Sequence, residues 1–99
     1  FMENAVAQML RTTGHKLFFY SRSSREDASE RMEIDFLIRC NRRIAPIEVK
    51  SSNYRAHHSL DKFKAKFEQK IGESYIVYTK DYYRDGELTY IPIYMALCL

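Results

Sequence analysis

Apolar residues near the start of the chain recur at helical spacing. Met2, Val6, Met9 and Leu10 share one side of a helix, and Gly14 stands where helices commonly end. The spacing predicts an amphipathic helix over roughly residues 2–13. His15 to Tyr20 (HKLFFY) reads as a short aromatic strand, and the polar, aperiodic stretch Ser21 to Ser29 as a loop. The period then changes to two. From Met32 to Cys40, the residues Met32, Ile34, Phe36 and Ile38 alternate with Glu33, Asp35 and Leu37, which predicts a strand with the two sets on opposite faces. From Arg43 to Ser51, the residues Ala45, Ile47 and Val49 alternate with Ile44, Pro46, Glu48 and Lys50. Asn41-Arg42 between these strands is predicted to be a tight turn. Pro46 lacks an N–H, so its strand is predicted to be unpaired or bulged on one side.

A second helix is predicted with Ser59 as its cap, Leu60, Phe63, Phe67 and Ile71 as its apolar stripe, and Gly72 as its end. Ser74 to Thr79 (SYIVYT) reads as a strand, Asp85-Gly86 as a hairpin turn, and Glu87 to Ile91 as the returning strand. Pro92 is suited to open a short final helix. The order α-β-β-β-α-β-β, followed by that helix, predicts one α/β domain with a central mixed sheet flanked by helices.

Composition narrows this picture only a little. Ninety-nine residues, 45% of them apolar and with eight Tyr and six Phe, support a single hydrophobic core and exclude a disordered tail. The chain opens on Phe1-Met2 with an element pattern from its first residue, which suggests a piece of a longer polypeptide. The net charge of +3 is modest, but the cations are grouped. Arg22, Arg25 and Arg31 bracket the polar loop; Arg39, Arg42 and Arg43 gather at the turn; Lys62, Lys66 and Lys70 repeat every fourth residue. Each group is suited either to phosphates or to plain solvation. Cys40 and Cys98 make neither a disulfide framework nor a zinc pattern, and read as buried free thiols in a reducing cytoplasm. The longest apolar run, Tyr90 to Leu99, is too short to span a bilayer and contains Pro92, so no membrane association is expected.

The chemistry-bearing constellation is Asp35 with Glu48-Val49-Lys50. If Asn41-Arg42 form a two-residue loop, Cys40 faces Arg43 and the count back along the hairpin sets Asp35 opposite Glu48. Opposed residues share a face with Cβ atoms about 4.5–5.5 Å apart, and Lys50, two residues on, shares it too. A three-residue loop would break this register. Two opposed carboxylates repel, and a divalent cation such as Mg²⁺, held by one or two carboxylates with water and phosphate, offsets that repulsion. A neighbouring lysine suits developing phosphate charge or an attacking water. Glu3, at the edge of the first helix's apolar stripe, is placed to reach the sheet beside Asp35. Singly, each of these groups is more often a surface acid or an exposed Glu-x-Lys pair.

Taken together, Glu3, Ile34-Asp35-Phe36 and Ile47-Glu48-Val49-Lys50 resemble the signature of the PD-(D/E)xK superfamily of nucleases, the restriction-endonuclease-like fold, with Ile34 in place of the signature proline. The resemblance implies an α-β-β-β-α-β core and a Mg²⁺- or Mn²⁺-dependent nuclease acting on nucleic acid, with DNA the expected substrate. It assigns Asp35 and Glu48 as metal ligands, the Val49 carbonyl as a further ligand, Lys50 as the catalytic lysine and Glu3 as an accessory acid. It is also compatible with a homodimer. Glu3-Asn4-Ala5-Val6, Glu33 to Ile38, Pro46 to Ser51, Ser59-Leu60 and Ile91 to Tyr94 resemble more closely the uncharacterised nuclease-like domain at the C-terminus of bacterial and archaeal AAA-type ATPases. That resemblance implies an ATPase module earlier in the same longer chain. This segment has no G-x-x-x-x-G-K-[ST] motif of its own.

Arg22 and Arg25 on the loop, and Ser51 after the lysine, are the expected nucleic-acid contacts. His57-His58 read as surface or capping residues for want of a third ligand, and Tyr75, Tyr78, Tyr82, Tyr83, Tyr90 and Tyr94 as sheet packing before base stacking. The competing functions are a catalytically silent nucleic-acid-binding module and a protein-interaction domain docking on its own ATPase.

Overall fold

The computed structural model describes residues 2–22 and 32–99. Helix α1 (Met2–Thr12) is followed by strands β1 (Phe18–Arg22), β2 (Met32–Cys40) and β3 (Arg43–Val49). Helix α2 (His58–Lys66) and a 3-10 turn (Glu68–Lys70) lead to β4 (Ser74–Tyr78), β5 (Tyr83–Asp85), β6 (Leu88–Pro92) and a closing 3-10 helix (Ile93–Cys98). All six strands form one mixed sheet in the order β1-β2-β3-β4-β6-β5. β1, β2 and β3 are antiparallel neighbours, β3, β4 and β6 run parallel, and β5 returns antiparallel at the far edge. Among the described residues no helix is long and apolar enough to cross a membrane.

The sheet carries a core on each face. Val6, Ala7 and Leu10 of α1, with Ala96 of the closing helix, pack on Phe36, Ile38, Ala45, Ile47, Val77 and Ile91. Leu60 and Phe63 of α2 pack on Met32, Ile34, Ile76, Tyr78 and Tyr90. Neighbours such as Ile76 and Val77 therefore serve opposite layers, as strand alternation requires.

β2 does not follow simple alternation. Phe18 pairs with Leu37 but Tyr20 with Ile34, so β1 advances two residues while β2 advances three. The extra residue is a bulge at Asp35-Phe36, and it moves Met32 and Ile34 to the α2 layer while Phe36 and Ile38 stay in the α1 layer. The expectation that all four share one face is thereby corrected.

Glycine and proline act largely as predicted. Gly14 lies at φ +92, where its N–H reaches Arg11 O and that of His15 reaches Leu10 O, the paired bonds of a Schellman ending. Pro46 is buried and paired with Leu37 on its β2 side, while towards β4 the pairing steps from an isolated Ile44–Ile71 bridge to Ile47–Tyr75. That step skips one residue on the β4 side, the bulge expected beside a residue without an N–H.

Four expectations need correction. α2 stops at Lys66, and Ile71 and Gly72 belong instead to the approach to β4, where Gly72 N–H donates to Ile44 O. His57, without a side-chain bond to the helix N–H groups, occupies the cap position predicted for Ser59, whose hydroxyl accepts the Glu33 N–H. The hairpin at Gly86 joins β5 to β6 while β6 lies parallel to β4, so its partner is β5 and not the Ser74 to Thr79 strand. Cys40 and Cys98 are free thiols but exposed.

Candidate functional site

The hairpin register is the predicted one: Asn41 takes a left-handed φ of 59 and Cys40 pairs with Arg43, through to Phe36 with Ile47. There the two strands part. Glu48 and Val49 pair with Ile76 and Val77 of β4, and Lys50 N–H donates to Val77 O. Asp35, next in register to Glu48, turns its carboxylate into the opening and accepts the Val49 N–H at 2.7 Å. The side chain thus continues the ladder where the backbone has let go. Bulges commonly re-aim a side chain beside an active site, and this one lies at the acid itself.

Asp35 is crowded by other acids. Burial pushes its pKa up to about 7 against the pull of the Val49 hydrogen bond; a hydrogen bond to Glu3 and the negative charges of Glu3 and Glu48 push it further in that direction. Helix α1 thus delivers Glu3 to Asp35 as predicted, from an exposed position. The Glu48 carboxyl is also raised, chiefly by burial, although Lys50 and His57 oppose the shift. Its Oε2 is buried and has no hydrogen-bond partner among the described residues. Such an oxygen costs about 1–3 kcal/mol, and more when charged, unless something compensates it. Lys50 lies half-buried just past the end of β3, close enough for its charge to favour the Glu48 carboxylate.

The donor set is therefore a pair. Among the described residues no three His, Cys, Asp or Glu side chains converge as a ready-made metal cage. Two half-buried carboxylates, one with an oxygen that no described residue satisfies, have the donor chemistry of a hard cation that takes one or two carboxylates and fills its remaining positions with water and phosphate.

The other predicted contacts fare unevenly. Ser51 is exposed directly after Lys50, and its carbonyl accepts the Tyr54 hydroxyl at 3.3 Å. Arg25 lies outside the described residues, as does the Arg22 side chain. Arg39, Arg42 and Arg43, with Lys70, line a cavity of about 510 Å³ floored by Phe18, Leu37 and Ile44. It lies beyond Leu37 towards the turn, so it is a neighbour of the acids and not their pocket. His57 belongs nearer the site than the sequence reading placed it: its Nδ1 is 2.9 Å from Asp61 Oδ1, and its charge bears on Glu48. The available signal was topological. A β3–α2 connection must cross the carboxyl ends of parallel strands, and that is where open α/β sheets bind ligands.

A mixed α/β sheet with a carboxylate pair where β2 and β3 separate defines the class of domain. The chain belongs to the family described as Domain of unknown function (DUF4143), whose model matches residues 1–96. This family is known as a C-terminal domain of AAA-type ATPases. No curated protein matches the chain.

Proposed function

We propose that this domain is a metal-dependent nuclease of the PD-(D/E)xK kind, hydrolysing phosphodiester bonds as a module of an AAA-type ATPase. One observation carries the reading: Glu48 keeps a buried oxygen without a partner among the described residues, beside the bulged Asp35 and two residues before Lys50. Asp35 and Glu48 would hold Mg²⁺ or Mn²⁺, with the Val49 carbonyl as a further oxygen. When bound, such an ion polarises a phosphoryl oxygen and acidifies water.

The chain's own groups do the rest. The Val49 N–H fixes the rotamer of Asp35, so the carboxylate is oriented before any ligand arrives. Lys50 places an ammonium beside Glu48, where it stabilises charge developing on the phosphate and orients the attacking water. Glu3, beside Asp35, serves as the accessory acid. The cations Arg39, Arg42 and Arg43 border the same hairpin and supply the non-specific attraction that a DNA backbone needs.

The test is cleavage of single- and double-stranded DNA and RNA by the purified domain with Mg²⁺ or Mn²⁺. Wild type is expected to cleave at least one of these, and Asp35→Ala, Glu48→Ala and Lys50→Ala to lose about a hundredfold or more in rate. An inactive wild type, or variants that cleave equally well, defeats the reading.

A further inference from the structure

A second cavity, of about 560 Å³, lies past the carboxyl end of β4, and four tyrosines wall it: Tyr54, Tyr78, Tyr83 and Tyr90. Their rings form a continuous chain. Tyr54 meets Tyr78 edge-on at 5.0 Å, Tyr78 lies 5.3 Å from Tyr90, and Tyr83 5.8 Å from Tyr90. Tyr78 and Tyr90 are buried and belong to the core, but Tyr83 is 59% exposed and Tyr54 is half-exposed. The Tyr54 ring is held at its tip, where the hydroxyl bonds Thr79 Oγ1 at 2.9 Å and reaches the Ser51 carbonyl. A ring fixed in this way loses little freedom when a flat partner lies against it.

Charge completes the cavity. Lys80 lies over the Tyr54 ring, its Nζ 5.5 Å from the centroid, and Arg55, His57 and the acceptor Asp85 also line the wall. Aromatic faces with cations beside them are the equipment by which proteins hold single-stranded nucleic acid: the rings stack on bases and the cations follow the phosphates. The cavity adjoins the carboxylate site through shared residues. His57 lines it and also acts on Glu48, and Tyr54 bonds the carbonyl of Ser51, the residue after Lys50.

We propose that this cavity binds an unpaired nucleotide of single-stranded nucleic acid, with its base on Tyr54 and Tyr83 and its phosphate between Lys80 and Arg55. The choice of ligand rests on the nuclease reading above. Duplex ends and regular duplex keep their bases stacked inside the helix, so the substrate class is a single strand or a strand end that has frayed.

Binding is measured by fluorescence anisotropy on labelled octathymidylate and octauridylate, with EDTA present so that turnover plays no part. Wild type is expected to bind at least one of them. Tyr83→Ala and Tyr54→Ala should each weaken binding about tenfold or more, while Tyr54→Phe, which keeps the ring, stays near wild type. Lys80→Ala should lower the slope of log affinity against log salt by about 0.7, a change that mere loss of packing does not produce. Tyr83 is exposed, so its variant reports even if Tyr54→Ala fails to fold. Absence of binding to both oligonucleotides, or unchanged binding by Tyr83→Ala, overturns the proposal. Binding that depends on the tyrosines in a protein that cleaves nothing with Mg²⁺ upholds the cavity and defeats the nuclease reading; cleavage with tyrosine-independent binding does the reverse.

Discussion

The Asp35 carboxylate accepts the Val49 N–H at 2.7 Å, so a side chain fills a place in the sheet that a backbone carbonyl would otherwise occupy. The same carboxyl is held up at about 7, mainly by burial. In the folded protein Asp35 thus binds its proton more tightly than in the unfolded chain. An acid shifted in this direction contributes stability below its unfolded pKa, and that contribution is lost as pH rises through the folded value.

Asp35→Asn should therefore change stability in a pH-dependent way. The amide still offers an oxygen to Val49 and a donor to Glu3, and it cannot ionise. Compared with wild type by thermal unfolding in EDTA, the variant should be the more stable above pH 7, and the gap should close towards pH 5. A gap that is constant across this range would place the shifted proton elsewhere.

Cation binding should release protons. With its carboxyl pushed up to about 7, Asp35 holds a proton near neutrality that a coordinating carboxylate must lose. Calorimetry with Mn²⁺ in buffers of different ionisation enthalpy should show proton release near neutrality that shrinks as the pH is raised to 8.5. Affinity should climb with pH up to neutrality and then level off. Glu48→Gln should bind at least tenfold more weakly.

Lys50 offers a cleaner separation of chemistry from folding. Its N–H, which joins Val77 O, is kept by any residue except proline, and its side chain is only half-buried. Lys50→Ala should still fold, at a cost of about 1 kcal/mol, because the raised Glu48 carboxyl can take up a proton when the neighbouring charge is lost. Its cleavage rate should fall about a hundredfold or more. Gel-based cleavage and thermal unfolding on the same preparation check both halves.

Gly14→Ala probes the fold far from the acids. A Cβ at Gly14 meets no atom of the described residues within 4 Å, but φ +92 is a conformation that alanine adopts only with strain. A cost of about 1 kcal/mol or somewhat more is expected. For a domain of this size that lowers Tm by about 4–8 °C per kcal/mol. Metal affinity should not change.

Much of this was legible in the chain because it depends on local rules. The register from Cys40–Arg43 to Phe36–Ile47 follows from the length of a turn, and the interruption beside Pro46 from a missing N–H. What escaped depends on longer-range packing. Alternation assigns Met32, Ile34, Phe36 and Ile38 to one face, and nothing in their apolar character marks the bulge that divides them; the pairing with β1 creates it. The apolar stripe of α2 runs on to Ile71, yet the helix ends at Lys66 because Ile71 bridges to Ile44 of the sheet. The approach of His57 to Glu48, and of Tyr54 to Ser51, results from the course of a connection with no period of its own.

The fork at Asp35 also bears on how such a domain would age. A lineage released from selection for cleavage could replace Glu48 or Lys50 at little structural expense, since their backbone groups alone join β4. Position 35 is different: the Val49 N–H needs an acceptor whether or not any phosphate is cut. Drift towards an inert descendant should therefore pass through Asn or Ser at 35 while 48 and 50 vary freely. An intact Glu48-Val49-Lys50 is then the better sign of retained chemistry, and Asp35 by itself is a relic that architecture alone can preserve.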